Sequence, residues 1–246
     1  MNSIRSISFG LIITLLLAGC ASTPPVKSAS EYFKDGEEAF SSKNYEDAIG
    51  YWKKVKESYF NPELTTMAEL KIADAQYANK SFIEAAASYE EFRKLHPKHE
   101  KAPYALFRMA MCQFQQITGI DTDQTPVSNA VSLFTQFLKT YPTSEYAKEA
   151  KEKLDEAVAT QVRHEIYVGR FYLRTEKYQA AIKRLEGALA RFPSSSVQDE
   201  TLLYLGEAYI SAGDKPKGRE TLDRLSREYP ASPYLDDARK FMEKHY

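Results

Sequence analysis

Two cysteines, Cys20 and Cys112, are the residues of this 246-residue sequence best suited to covalent chemistry. One pair cannot build a disulfide framework. Cys112 lies in the apolar stretch Phe107-Arg-Met-Ala-Met-Cys112-Gln-Phe114, where a free thiol reads as a small core residue. The histidines and carboxylates offer less. His164-Glu165 is followed by Ile166, Tyr167 and Val168, so the two-histidine zinc motif is absent. His96 and His99 straddle Pro97 at a predicted helix end, a poor arrangement for a shared ligand. Asp121 and Asp123 fall in Ile117–Pro126, ITGIDTDQTP, but the third acid, the Gly and the terminal Glu of a calcium loop are missing, so this reads as a solvated loop. No phosphate-binding Gly-x-x-x-x-Gly-Lys loop, Gly-x-Gly-x-x-Gly fingerprint or Gly-x-Ser-x-Gly elbow occurs. Carboxylate pairs such as Glu90-Glu91 and Asp236-Asp237 sit on charge-alternating faces, which are ordinarily solvated. The residues therefore predict no catalytic site, no metal and no cofactor.

Cys20 has a different context. Arg5 precedes an apolar run from Ile7 to Ala18, too short for the roughly 18 to 20 residues that span a bilayer. A positive start, a short apolar stretch and small residues at its end describe a secretory signal. Leu17-Ala18-Gly19-Cys20 resembles the lipobox of bacterial lipoproteins; the alternative is an ordinary signal with an incidental Cys. The lipobox reading makes residues 1–19 a signal peptide and Cys20 a lipidated N-terminus anchored in the membrane by its acyl chains. Ala21 and Ser22 follow, not the Asp that retains enteric lipoproteins at the inner membrane, which favours the outer membrane. Residues 20–30, with Pro24-Pro25 and several Ser and Thr, read as a flexible tether.

The elements that position everything else repeat. A small residue recurs at Ala48, Ala85, Ala130, Ala181 and Gly218, and four positions later a bulky one at Trp52, Tyr89, Phe134, Leu185 and Leu222. Aromatic-Pro or His-Pro pairs close the last four segments at Pro97, Pro142, Pro193 and Pro230. This resembles the tetratricopeptide repeat, a helical hairpin of about 34 residues. The small residue lets two helices approach, the bulky one fills the gap on the same face, and the Pro ends the second helix. Gly169 with Tyr172 and Gly206 with Tyr209 fit the first helix of the unit, and Gly36 with Phe40 fits it less well. Asn44 is a predicted N-cap, Ser81-Phe-Ile-Glu84 a capping box, and Ser232-Pro233 a helix start. The Pro-free stretch from Ser144 to Arg174 reads as one long helix joining the first three hairpins to the last two.

Composition agrees. Gly and Pro total 21, aromatics are 13% and apolar residues 43%, which suits a folded helical chain. A net charge of −1 excludes nucleic-acid binding through bulk charge. The expected fold is all-α, an α-solenoid of about five tetratricopeptide-like hairpins, with repeats 1–3 in 31–143 and the long helix and repeats 4–5 in 144–246. Stacked hairpins present a groove lined by their first helices. Counting from the small residue places Phe33, Phe40, Met67, Leu70, Tyr77, Phe107, Met111 and Phe114 there at the N-terminal end, and Arg163, Arg170 and Arg174 at the C-terminal end. Groove and hairpin core are both open readings for each aromatic.

Lipobox, tether, hairpins, polar third loop and long helix together resemble the BamD (ComL) family of the outer-membrane β-barrel assembly machinery. The resemblance spans nearly the whole chain and is most specific at TDQTPVSNAVSLFTQFLKTYPTSEYAKEA from Thr122 and HEIYVGRFYLRTEKYQAAIKRLEGALARFP from His164. It implies a non-enzymatic outer-membrane lipoprotein on the periplasmic face. Its N-terminal hairpins would recognise the C-terminal strand of unfolded barrel proteins, and its C-terminal hairpins would dock on POTRA domains of the barrel-forming subunit, beside other lipoproteins of the complex. Arg184-Leu-Glu186-Gly187 matches the family's Arg-x-Glu-Gly docking stretch, making Arg184 and Glu186 partner residues along with Arg170 and Arg174. Tyr59 occupies the place of a family substrate Tyr, although Phe60 follows where the family has Pro. The alternative is a periplasmic tetratricopeptide scaffold of another system, a Tol–Pal cell-division coordinator or a pilus-assembly lipoprotein.

Overall fold

The computed structural model describes residues 27–58 and 61–246. The signal segment 1–19, Cys20 and Tyr59 lie outside the described residues. Eleven helices and no strands occupy the described residues. Five antiparallel hairpins follow in order: α1 (Ala29–Ser41) with α2 (Tyr45–Glu57), α3 (Pro62–Ala78) with α4 (Phe82–Leu95), α5 (Ala102–Gln115) with α6 (Thr125–Thr140), α7 (Ala147–Arg174) with α8 (Tyr178–Arg191), and α9 (Gln198–Ser211) with α10 (Lys215–Glu228). A last helix, α11 (Leu235–His245), covers the end of the stack through Ala238, Phe241 and Met242.

The small-and-bulky rule is what closes each hairpin. Ala48, Ala85, Ala130 and Ala181 have no exposed surface, and neither have Trp52, Tyr89, Phe134, Leu185 and Leu222. Opposite three of the bulky residues stands a glycine of the first helix. A methyl group on Gly36 would meet Trp52 Nε1 at 2.4 Å, on Gly206 it would meet Leu222 Cγ at 2.5 Å, and on Gly169 Leu185 Cγ at 3.0 Å. The first hairpin, the least regular in sequence, thus closes by the same contact as the fourth and fifth.

Four of the five hairpin turns share one construction, the third hairpin being joined by a longer loop. Lys43, Lys80, Glu176 and Gly213 adopt positive φ, and the next residue's N–H reaches back five positions, as in Asn44 N–H to Ala39 O and Ser81 N–H to Gln76 O. This is the Schellman ending, here with one residue serving both as its last member and as the N-cap of the next helix. It explains why the predicted capping box at Ser81 does not form: that backbone N–H is already taken, so Glu84 has no donor to meet. Asn44 is an N-cap by position but makes no side-chain cap bond. A capping box does form where none was predicted, between Ser28 and Glu31, so α1 starts at Ala29 and the tether ends two residues earlier than expected. The second helices end as predicted. His96, Tyr141, Phe192 and Tyr229 each leave the helical region just before a Pro, as the proline ring requires. Ser232-Pro233 is a turn instead of a helix start; α11 begins at Leu235.

The long helix is α7, 28 residues and about 42 Å at 1.5 Å per residue. It belongs to two cores at once. Ala150, Leu154 and Ala157 belong to the core built around α5 and α6, whereas Ala159, Val162 and Ile166 belong to the core built with α8 and α9. Cys112 lies in the first of these cores with no exposed surface, and burial pushes its thiol up to about 12, as the core reading requires. Successive first helices, α1 with α3, α5 with α7 and α7 with α9, touch directly, and no comparable contact joins successive second helices. The stack therefore curves toward its first helices, which line the concave face.

Candidate functional site

The predicted N-terminal groove residues separate into three groups. Phe107 is core, not groove: it is 3% exposed, stacked on Tyr146 at 5.1 Å and tilted against Phe137 at 5.8 Å. Met111, 7% exposed, is core as well. Both lie on the side of α5 that turns inward onto α6. Phe33 and Phe40 are half-buried flanks of Trp52, with ring centroids 6.4 and 5.8 Å from it. Phe114 is half-buried with its ring edge-on to Phe134 and the Lys153 ammonium 4.8 Å from its centroid. Tyr77 is half-buried edge-on to Phe82, with the Arg108 guanidinium 3.5 Å from its ring centroid.

Of the residues expected in the groove, Leu70 and, one turn earlier on α3, Met67 line a sizeable cavity. The cavity has a volume of about 500 Å³ and lies between α3 and the turn joining α4 to α5. Met67 is 43% exposed at its mouth, and Phe92 contributes to its floor. Its charged lining is mixed: His99, Lys101 and Lys71 stand with the carboxylates of Glu63 and Glu100. Of the two lysines, Lys71 is paired with Glu37, whereas Lys101 enters no ion pair among the described residues. An apolar slot with a cation at its edge can hold an apolar side chain next to a carboxylate.

At the inner side of this slot sits a polar network that the sequence reading missed. Asp74 Oδ1 accepts from the Tyr89 hydroxyl at 2.5 Å and the Tyr104 hydroxyl at 2.7 Å, and Arg108 Nε donates to the Tyr89 oxygen at 3.4 Å. Burial raises the Asp74 carboxyl above its ordinary value, against the pull of both hydroxyls and Arg108. Tyr89 reads from sequence as the bulky packing residue. Its hydroxyl was the available signal: a phenol at a fully buried position needs a partner, and Asp74 is the acid that α3 turns inward.

The four predicted partner residues do not share a surface. Arg184 Nη1 reaches Glu165 Oε2 across the α7–α8 pair at 3.3 Å, and Arg191 Nη2 holds the other oxygen at 2.6 Å. The Glu165 side chain is 7% exposed, whereas Arg184 and Arg191 are about half exposed. They border a cleft of about 390 Å³ with Lys183, Tyr172 and Gly187. Three cations face one carboxylate there, an excess of positive charge. Glu186 turns away, accepting from the Tyr209 hydroxyl and from Lys217 Nζ at 3.4 Å. Arg170 lies over the Tyr204 ring at 4.9 Å, on the other side of α7 from Glu165, and Arg174 follows it one turn on.

The third-hairpin loop is more ordered than a plain solvated loop. Asp123 Oδ1 accepts from the Thr125 backbone at 3.0 Å and its hydroxyl at 2.8 Å, Gln124 Nε2 donates to the Thr122 carbonyl at 2.8 Å, and His164 Nδ1 stands 2.5 Å from the Ile120 carbonyl oxygen. The loop is thereby pinned to α7.

A family model described as an outer membrane lipoprotein, YfiO, matches residues 25–222. The chain is 26% identical over 239 residues to the outer membrane protein assembly factor BamD of Caulobacter vibrioides, covering 94% of this chain and 78% of the relative. It is 24% identical to the factor of the same name from Rickettsia prowazekii, over all of this chain and 99% of that protein. The BamD of Vibrio cholerae is 27% identical over 83% of this chain and 90% of its own.

Proposed function

The chain belongs to the YfiO family of outer membrane lipoproteins, and from that membership we propose that it is an outer membrane protein assembly factor that works by binding, not by catalysis. Cys20 carries the lipid that holds it to the periplasmic face of the outer membrane. The N-terminal hairpins receive the C-terminal segment of an unfolded barrel protein. The C-terminal hairpins dock on POTRA domains of the barrel-forming subunit, beside the other lipoproteins of the complex.

The observation that carries the substrate side is the cavity beside Met67 and Leu70. An aromatic side chain at the end of an extended strand fits against Met67, Leu70 and Phe92, and its terminal carboxylate then faces Lys101. Phe33, Phe40, Tyr77 and Phe114 support this surface from half-buried positions and are not its anchors. Docking is assigned to the cleft of Arg184 and Arg191, because its excess of positive charge suits a carboxylate held by a planar fork. Glu186 serves that helix from its other side.

Depletion in the host, followed by complementation, tests the proposal. Wild-type protein should restore folded barrel proteins in the outer membrane. Leu70→Asp should bind the barrel subunit but fail to capture a synthetic peptide ending in Phe, and Arg184→Gln should do the reverse. Normal barrel levels after depletion would overturn the function. Peptide capture unaffected by Leu70→Asp would overturn the site.

A further inference from the structure

The concave face of α7 carries a row that neither the substrate cavity nor the docking cleft uses. Arg163, Tyr167, Arg170, Phe171 and Arg174 follow one another at helical spacings of three, four and one, so they share a face. That face lies between two contacts: Arg170 against the Tyr204 ring of α9, and His164 against the Ile120 carbonyl of the third-hairpin loop. Tyr167 is 45% exposed and Phe171 47%, and they stand one turn apart. Among the described residues, none of the three arginines enters an ion pair. The cleft cations Arg184 and Arg191, by contrast, share Glu165.

Arg170 is engaged by the Tyr204 ring and by the charge of Glu207, whereas Arg163 and Arg174 are unpaired among the described residues. These two guanidinium groups and the open aromatic rings between them have a complementary ligand: carboxylates for the first and apolar side chains for the second. The dimensions favour an extended chain. Arg163 to Arg174 is about 16 Å along the helix, the reach of about five extended residues. Tyr167 to Phe171 is about 6 Å, close to the spacing of roughly 6.6 Å between same-face side chains of an extended strand.

We propose that this strip of α7 is a second docking site, which takes an extended segment of another polypeptide bearing carboxylates interleaved with aromatic residues. The site is separate from the Arg184 cleft and independent of the role assigned to that cleft.

The test is fluorescence anisotropy of the purified protein with a labelled octapeptide alternating Glu and Phe. Saturable, salt-sensitive binding is expected, and a peptide with Lys in place of Glu should bind at least about tenfold more weakly. Arg163 and Arg174 have no ion-pair partner in the fold, so Arg163→Glu with Arg174→Glu should leave the circular dichroism unchanged and weaken the Glu–Phe peptide by at least about tenfold. Tyr167→Ala with Phe171→Ala should weaken it as well, and Arg184→Gln should not. Equal affinity for the Lys peptide, indifference to the double arginine reversal, or loss on Arg184→Gln would each overturn the proposal. So would arginine-dependent binding to phosphatidylglycerol vesicles without binding of the peptide.

Discussion

Arg184 on α8 is tied to Glu165 on α7 at 3.3 Å, so a side chain assigned to docking is also part of the seam between two helices. Arg191 makes the closer contact with the same carboxylate, at 2.6 Å. Glu165 is the most buried member of the trio, and its solvation is replaced largely by these two guanidinium groups. Removing either leaves the other, but the shorter bond carries more. Arg191→Ala is expected to destabilise by about 2 kcal/mol and Arg184→Ala by about 1 kcal/mol, the range of hydrogen bonds to charged groups on half-exposed donors. Urea unfolding of the two variants checks the order. Arg184→Glu would add a second carboxylate against Glu165 and lose stability for a reason unrelated to docking, which is why Arg184→Gln is the cleaner probe of the partner.

Gly187 gives a test with two opposite signs. It lies inside α8 on the rim of the Arg184 cleft, and a methyl group built there meets nothing within 4 Å. Glycine inside a helix costs roughly 0.5–1 kcal/mol relative to alanine, and here no packing within the chain requires it. Gly187→Ala should therefore raise the stability of the isolated protein by about that amount. If the partner's main chain comes down on α8 at this point, the same methyl group should reduce co-purification with the barrel-forming subunit. Thermal melting and pull-down of one variant read the two effects separately. A variant less stable than wild type would contradict the first.

Glycines at the hairpin crossings should behave in the opposite way. Gly36 and Gly206 face Trp52 and Leu222 at 2.4 and 2.5 Å from a built methyl group, and both neighbours are fully buried, so neither can swing aside. Gly36→Ala and Gly206→Ala are expected to cost about 1–3 kcal/mol, as overpacked cores do. Gly169, where the closest approach is 3.0 Å, should tolerate Ala with a smaller loss. Chemical denaturation of the three variants should give that ranking, and equal losses would contradict it.

These crossings are also where the sequence was most legible. A small residue and a bulky one four apart report a helix–helix contact directly, because both act through volume at a fixed helical spacing. The Pro-ended second helices were legible for the same local reason. The capping box at Ser81 failed because its backbone donor is spent on the preceding turn, a contact that spacing alone does not reveal. Phe107 was misplaced because the period of a helix gives a face, whereas only packing against Tyr146 and Phe137 decides whether that face is groove or core. Arg170 and Arg184 are both expected at the partner interface, the first from the groove face and the second from the family's Arg-x-Glu-Gly stretch. They separate in space because Arg170 turns to Tyr204 of α9 whereas Arg184 turns to Glu165 of α7.

Glu207 provides the expected dependence on pH. It sits on α9, facing Asp237 of α11 and Arg170 of α7, beside Tyr204. Burial first, and then the like charge of Asp237, push its carboxyl up to about 7, while Arg170 pulls the other way. In the unfolded chain the same group titrates near 4.5. Between those values the folded protein binds the extra proton, so stability falls as pH rises. The contribution is fully present below about 4.5, declines through the interval to about 7 and is flat above it. Glu207→Gln keeps a side chain of the same shape without the charge. It should melt several degrees higher than wild type at pH 8, show little difference near pH 4.5, and have a flatter melting profile between the two. Scanning calorimetry of both proteins at pH 4.5, 6 and 8 measures this; parallel profiles would mean that Glu207 ionises at its ordinary value in the fold.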